Sequence, residues 1–187
     1  MKRENEKIKK GGDFVAVLYN IRSLHNVGSI FRTADGAGIT KIYLCGITPA
    51  PVDNFGRPRQ QLMKTSLGAE RFIKWQKENV IRNVLKELKK DGYKVLAVEQ
   101  SKKSIPYFKF SGKSSKLCLV VGNEVNGLPP SILKLADKIL EIPMKGAMVR
   151  QAHHPRHVGR GKESLNVSVA FGIVAYHISG IIKRWKK

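Results

Sequence analysis

The sequence predicts an α/β fold built on a parallel sheet with both faces covered. Short apolar runs alternate with stretches of helical periodicity along the chain. Several of those runs are apolar throughout rather than every second residue, as expected of strands buried on both sides. The length, 187 residues, suits one domain with a sizeable core.

The elements follow in order. Residues 1–12 are charged, mostly basic, and end in Gly11-Gly12; they read as a flexible arm ahead of a single domain spanning 13–187. Residues 14–19 (Phe-Val-Ala-Val-Leu-Tyr) form a first strand. Val27, Ile30, Phe31, Ala34 and Ala37 then recur at helical spacing, with Asn26 as candidate N-cap and Gly38 as stop. Lys41–Cys45 is a second strand, and 48–64 reads as loop because Pro49, Pro51 and Pro58 interrupt it. A short strand is expected at 71–75. An amphipathic helix follows on Val80, Ile81, Val84, Leu85 and Leu88, capped by Asn79 and ended by Gly92. Strands at 93–98 and 117–121, a helix at 131–136, a strand at 139–142 and a last helix from about Leu165 complete the reading.

Composition narrows the function. Thirty-five Lys and Arg against 14 Asp and Glu give a formal charge of +21, which points to a polyanionic partner such as RNA. Basic runs at 89–90, 102–103 and 183–187 suit phosphates as a group. Cys45 and Cys118 sit inside apolar runs and read as buried thiols of a reducing, cytoplasmic compartment. No secretory signal is expected from the polar N-terminal residues. Leu165 to Ile182 holds no Asp, Glu, Lys or Arg, but Asn166, Ser168, His177 and Ser179 interrupt it, so a deep core or interface helix is expected and no membrane partner.

Ligands of parallel α/β sheets bind beyond the carboxyl ends of the strands, and three segments qualify. In the first, residues 26–38, Arg32 falls nearly opposite the apolar stripe of its helix, while Asn26 and Gly28 lie at the helix start. In the second, residues 120–130, Gly122 and Gly127 bracket a turn holding Glu124, a carboxylate placed either to lock the loop or to meet a ligand hydroxyl. The third joins Ile142-Pro-Met144 to Ser164-Leu-Asn166, with Ser164 as N-cap and Asn166 in the first turn. Neither a dinucleotide fingerprint nor a P-loop occurs. His153, His154 and His157 crowd one loop without an accompanying Cys or Asp, and no metal site is expected.

Asn26-x-Gly28-x-x-x-Arg32, then Gly122-Asn-Glu124 with Gly127-Leu-Pro129, then Ile142-Pro-Met144 with Ser164-Leu-Asn-Val-Ser-Val169 resemble, in order, the three motifs of the SpoU (TrmH) family of RNA 2′-O-ribose methyltransferases, of the SPOUT superfamily. The resemblance implies a parallel-sheet α/β knot with a deep C-terminal trefoil knot. It also implies S-adenosylmethionine as cofactor, tRNA or rRNA as substrate, and a homodimer with active sites at the subunit interface. Carried over residue by residue, it implies a catalytic set of Arg32, Asn26, Glu124 and Asn166. The cofactor is expected on Gly122, Ile142, Met144, Ser164 and Leu165.

One departure stands out. The family pattern runs from Ile-Pro-Met into Ser-Leu-Asn across a few polar residues, whereas here 147–161, rich in Arg and His, intervene as an insertion. Their wording resembles peptides encoded by short repetitive genomic elements. Long loops cost little closure entropy, so folding tolerates such an insertion. Its place beside the cofactor motif leaves a second reading open, a non-catalytic RNA-binding protein on the same fold.

Overall fold

The computed structural model describes residues 12–112, 114–123, 125–144 and 164–183. Most of the N-terminal arm, Glu124, the insertion 147–161 with its three histidines, and the basic tail 184–187 lie outside the described residues.

The order of elements is β1 (Asp13–Tyr19), α1 (Leu24–Ala37), β2 (Lys41–Cys45), α2 (Gln60–Ser66), β3 (Lys74–Glu78), α3 (Ile81–Lys90), β4 (Lys94–Val98), β5 (Ile105–Pro106), β6 (Lys116–Val121), α4 (Pro130–Leu133), β7 (Lys138–Glu141) and α5 (Val167–Lys183). The strands form one sheet in the order β3-β2-β1-β6-β4-β7-β5, and every pairing between them is parallel. The α/β parallel sheet expected from the alternating pattern is therefore present. From β1 the chain steps outward through β2 to β3, then crosses back to build the other half beyond β6. Such a reversal opens a crevice at the carboxyl ends of the central strands.

Alternation along β1 shows why its residues are apolar without interruption. Phe14, Ala16 and Leu18 join the core under α1 and α5, with Phe31, Phe171 and Val174. Val15 and Val17 join the opposite core under α3 and α4, with Leu85, Leu88, Cys118 and Ile132. Both cysteines are buried free thiols, as expected. Burial pushes the Cys45 thiol up to about 12, with a further push from the Glu78 charge; burial raises Cys118 as well.

The structure corrects several local expectations. Ser23, not Asn26, is the N-cap of α1, its hydroxyl accepting from the Asn26 N–H at 3.2 Å. Gly38 ends that helix in the left-handed region, as expected. The stretch 48–64 is not all loop: once past Pro58, the helix formers Gln60 to Ser66 make α2, too short to show a period. Residues 69–71 turn as a 3-10 segment, which moves the strand expected at 71–75 to Lys74–Glu78. Val80 stands at the N-cap of α3 without a side-chain bond, so Asn79 is not the cap. The helix at 131–136 is shorter, Pro130–Leu133. The two-residue edge strand β5 carries no sequence signal and exists only through its pairing with β7.

α2 packs directly on α1, and Gly28 makes this possible. A Cβ at that position would lie 2.3 Å from the Leu62 carbonyl oxygen and 2.1 Å from Thr65 Oγ1. Thr65 in turn donates its hydroxyl to the His25 carbonyl at 3.0 Å. The start of α1 is thereby held against a second helix. No helix among the described residues is long and apolar enough to cross a membrane.

Candidate active site

Two predicted site residues from opposite ends of the chain meet. Asn166 donates from Nδ2 to Asn26 Oδ1 at 3.1 Å. Each is oriented by its own helix start. Asn166 is itself the cap of α5: its carbonyl accepts from the Ala170 N–H at 2.9 Å, and its Oδ1 accepts from the Ser168 N–H at 2.9 Å and hydroxyl at 2.7 Å. That corrects the assignment of Ser164 as cap. With Oδ1 committed to the helix, the amide nitrogen is left to reach Asn26.

Arg32 lies further along α1, exposed, as its place opposite the apolar stripe predicts. Six residues on, it is about 9 Å along the helix axis and turned about 120° from Asn26. No hydrogen bond among the described residues joins Arg32 to the Asn26–Asn166 pair. Among the described residues, no hydrogen bond or ion pair holds its guanidinium.

Next to the pair lies a cleft of about 920 Å³ beyond the carboxyl ends of β4, β6 and β7. Gly122, Ile142, Met144, Ser164 and Leu165, each expected at the cofactor, all line it, as does Asn166. Two backbone segments pass unusually close at its floor. A Cβ on Gly122 would stand 2.6 Å from the Gly127 carbonyl carbon and oxygen, so no larger residue fits without moving the loop. Asn123 shapes that loop by accepting on Oδ1 from the Val125 and Asn126 N–H groups, at 2.9 and 2.7 Å.

The carboxylate seen holding this loop is one that sequence reasoning missed. Glu99, just past the end of β4, accepts on Oε2 from the Leu128 N–H at 2.8 Å and on Oε1 from the Gln100 N–H at 3.0 Å. Glu124, expected to play this part, lies outside the described residues. The available signal was position, an acidic residue directly following a buried apolar strand. Glu141 also lines the cleft, and it accepts from the Ser104 hydroxyl at 2.6 Å. Among the described residues no group of His, Cys, Asp and Glu is placed to hold a metal ion.

The family model of the SpoU rRNA methylases matches residues 13–150. The chain belongs to that family. It is 30% identical over 178 residues to the tRNA (guanosine(18)-2′-O)-methyltransferase of Aquifex aeolicus, covering 94% of this chain and 74% of that protein. It is 25% identical over 164 residues to the enzyme of the same name from Escherichia coli K12, covering 88% of this chain and 62% of that one. Of solved structures, the A. aeolicus TrmH/SpoU tRNA-modifying enzyme superposes with a TM-score of 0.74 at 26% identity, over 95% of this chain and 79% of that one. An AdoMet-bound rRNA methyltransferase from Sinorhizobium meliloti does so with a TM-score of 0.74 at 25% identity, over 95% and 58%. This SpoU-family chain thus spans the larger part of its relatives without matching their full length. Gly122, Gly127, Ile142, Met144 and Ser164 to Val167 line the cleft at the carboxyl edge of the sheet, where the crevice of this topology opens.

Proposed function

We propose that this SpoU-family chain transfers the methyl group of S-adenosylmethionine to a ribose 2′-hydroxyl of tRNA or rRNA. One observation carries the reading: the Asn26–Asn166 hydrogen bond sits at the rim of a cleft lined by all five residues expected at the cofactor. The cleft suits that group. Val98, Val121, Leu165 and Val167 offer apolar walls for an adenine ring, and Glu99 and Glu141 place carboxylates near a ligand that carries positive charge. When bound, S-adenosylmethionine supplies an electrophilic methyl on a sulfonium.

The chain's own groups do the rest. Gly122, Ile142, Met144, Ser164 and Leu165 hold the cofactor, largely through backbone. The amides of Asn26 and Asn166 orient the ribose. Arg32, always protonated, grips an RNA phosphate beside the target ribose and so helps activate the 2′-hydroxyl, whose proton leaves to solvent as its oxygen takes the methyl. Glu124 steadies the second motif. Much of the acceleration comes from alignment of the two reactants.

The same reading includes a homodimer with the active sites at its interface, which would give the exposed Arg32 partners across that interface. Val169 (50% exposed) and Tyr176 (57%), seven residues apart on one side of α5, support a covered face there. It also includes the C-terminal trefoil knot, one methyltransferase domain over 13–187, and the cytoplasm, in keeping with two unpaired buried thiols. A second reading, RNA binding without transfer, draws on one feature: the insertion 147–161 falls between Met144 and Ser164, both on the cleft wall.

Incubation with methyl-labelled cofactor and unfractionated tRNA and rRNA decides between them. Label recovered in ribose establishes the enzyme. RNA binding that weakens steeply with salt but leaves no label establishes the second reading.

A further inference from the structure

We propose that the hairpin at residues 52–58 is a base-stacking finger: Phe55 receives an unpaired RNA base on its open face, and Arg57 and Arg59 take the flanking phosphates. The proposal rests on the RNA reading above and adds to it a contact outside the cleft.

Phe55 is 82% exposed, an apolar ring at the tip of a turn otherwise made of Asp53, Asn54, Gly56 and Arg57. It contributes nothing to either core. The turn that presents it is nevertheless tightly built. Asp53 accepts on Oδ1 from the N–H groups of Phe55 and Arg57, each at 2.9 Å, and on Oδ2 from Arg57 Nε at 2.9 Å. The backbone closes with Asp53 N–H to the Arg57 carbonyl at 2.9 Å and Gly56 N–H to the Asp53 carbonyl at 3.0 Å. Arg59 N–H donates to the Pro51 carbonyl at 2.9 Å, tying the base of the hairpin. The Arg57 N–H, and with it that of Phe55, holds the Asp53 carboxyl below the usual carboxylate range, so the clasp persists at neutral pH. A floppy loop would hide an apolar ring against its neighbours; this one holds it out.

The Arg57 guanidinium lies 5.0 Å from the Phe55 ring centroid and is itself 72% exposed. An aromatic face beside a guanidinium is what single-stranded nucleic acid uses, because every base has a π-face and every linkage a phosphate. Asp53, the acid at this tip, is consumed by the clasp. The net charge of +21 favours a polyanion over an apolar protein partner here. The hairpin's position fits. It leaves the carboxyl end of β2 and enters α2, which packs through Gly28 on the start of α1, where Asn26 sits. The finger therefore stands on the same edge of the sheet as the cleft.

The test uses the full chain with Phe55→Ala and Phe55→Trp, both at an exposed position that folding does not need. The probes are a mixed-sequence single-stranded RNA oligonucleotide and a blunt RNA duplex. Phe55→Ala is expected to weaken single-strand binding by roughly five-fold or more, with duplex binding unchanged. Phe55→Trp is expected to retain single-strand affinity and to show quenched indole fluorescence on binding. Unchanged single-strand affinity in Phe55→Ala, or a Trp signal blind to RNA, overturns the finger while leaving ribose methylation standing. Loss of self-association in Phe55→Ala without loss of RNA affinity overturns it too and makes the ring a contact between copies. If the unmodified chain binds neither probe, the RNA reading fails and the finger fails with it.

Discussion

Asn26 and Asn166 are 140 residues apart in the chain and joined by a hydrogen bond of 3.1 Å. Asn166 also caps α5 through its other amide atom, so one side chain both starts the last helix and ties it to the first. That double duty separates into two measurable effects. Asn166→Ala should cost about 1 kcal/mol of stability from the lost cap and lower methyl transfer at least ten-fold. Asn166→Asp keeps the acceptor for the helix but removes the amide donor. It should keep the cap, lose the tie to Asn26, melt no lower than Asn166→Ala and still transfer slowly. Parent-like turnover in Asn166→Asp would remove Asn166 from the reacting centre.

Arg32 gives the reciprocal case. It is exposed and holds no partner among the described residues, so Arg32→Ala should leave the melting midpoint unchanged. Cofactor affinity by calorimetry should also hold, while methyl transfer is lost. Arg32→Lys should recover little, since an ammonium lacks the fork that grips phosphate. A drop in cofactor affinity in either variant would mean that Arg32 serves the cleft instead.

Gly28→Ala is expected to destabilise, against the usual benefit of Ala over Gly inside a helix. The new Cβ would meet the backbone oxygen of Leu62 at 2.3 Å, and backbone cannot swing aside. Overpacking of this kind costs about 1–3 kcal/mol. A melting midpoint lowered by about 3 to 10 °C is the expected reading for a chain of this size. An unchanged midpoint would show that α2 can lift from α1 freely.

The thiols offer a pH-dependent check. Burial, aided by Glu78, holds Cys45 up to about 12, and burial raises Cys118 as well. Only the thiolate alkylates, and its fraction grows with pH toward the raised value. Iodoacetamide at pH 8 should therefore leave the native protein unlabelled and modify both residues in denaturant, by mass spectrometry. Native labelling at pH 8 would place a cysteine at the surface.

Removal of residues 147–161 tests the insertion. Met144 and Ser164 both line the cleft, and the insertion lies between them in sequence, so its removal shows whether the cleft depends on it. The deletion should fold, bind cofactor as the parent does and retain transfer. Abolished transfer in a folded deletion variant would make the segment functional. A sharp gain in cofactor affinity would make it damaging and favour RNA binding without chemistry.

The ordered motifs, the parallel-sheet class and the burial of Cys45 and Cys118 were legible in the sequence by itself. Each depends on short-range pattern. A strand buried on both faces must be apolar at consecutive positions, as 14–18 and 117–121 are, and an Arg opposite an apolar stripe must face out. Tertiary structure alone decided where those residues meet. The caps moved from Asn26 to Ser23 and from Ser164 to Asn166, because a cap is set by which side chain reaches the free N–H groups, and several neighbours were eligible. α2 and β5 escaped notice because a helix of seven residues and a strand of two are too short to show a period. Glu99 gained its place from the Leu128 N–H, 29 residues away. Nothing local in the chain announces that bond, since it exists only once β4 and β6 lie side by side.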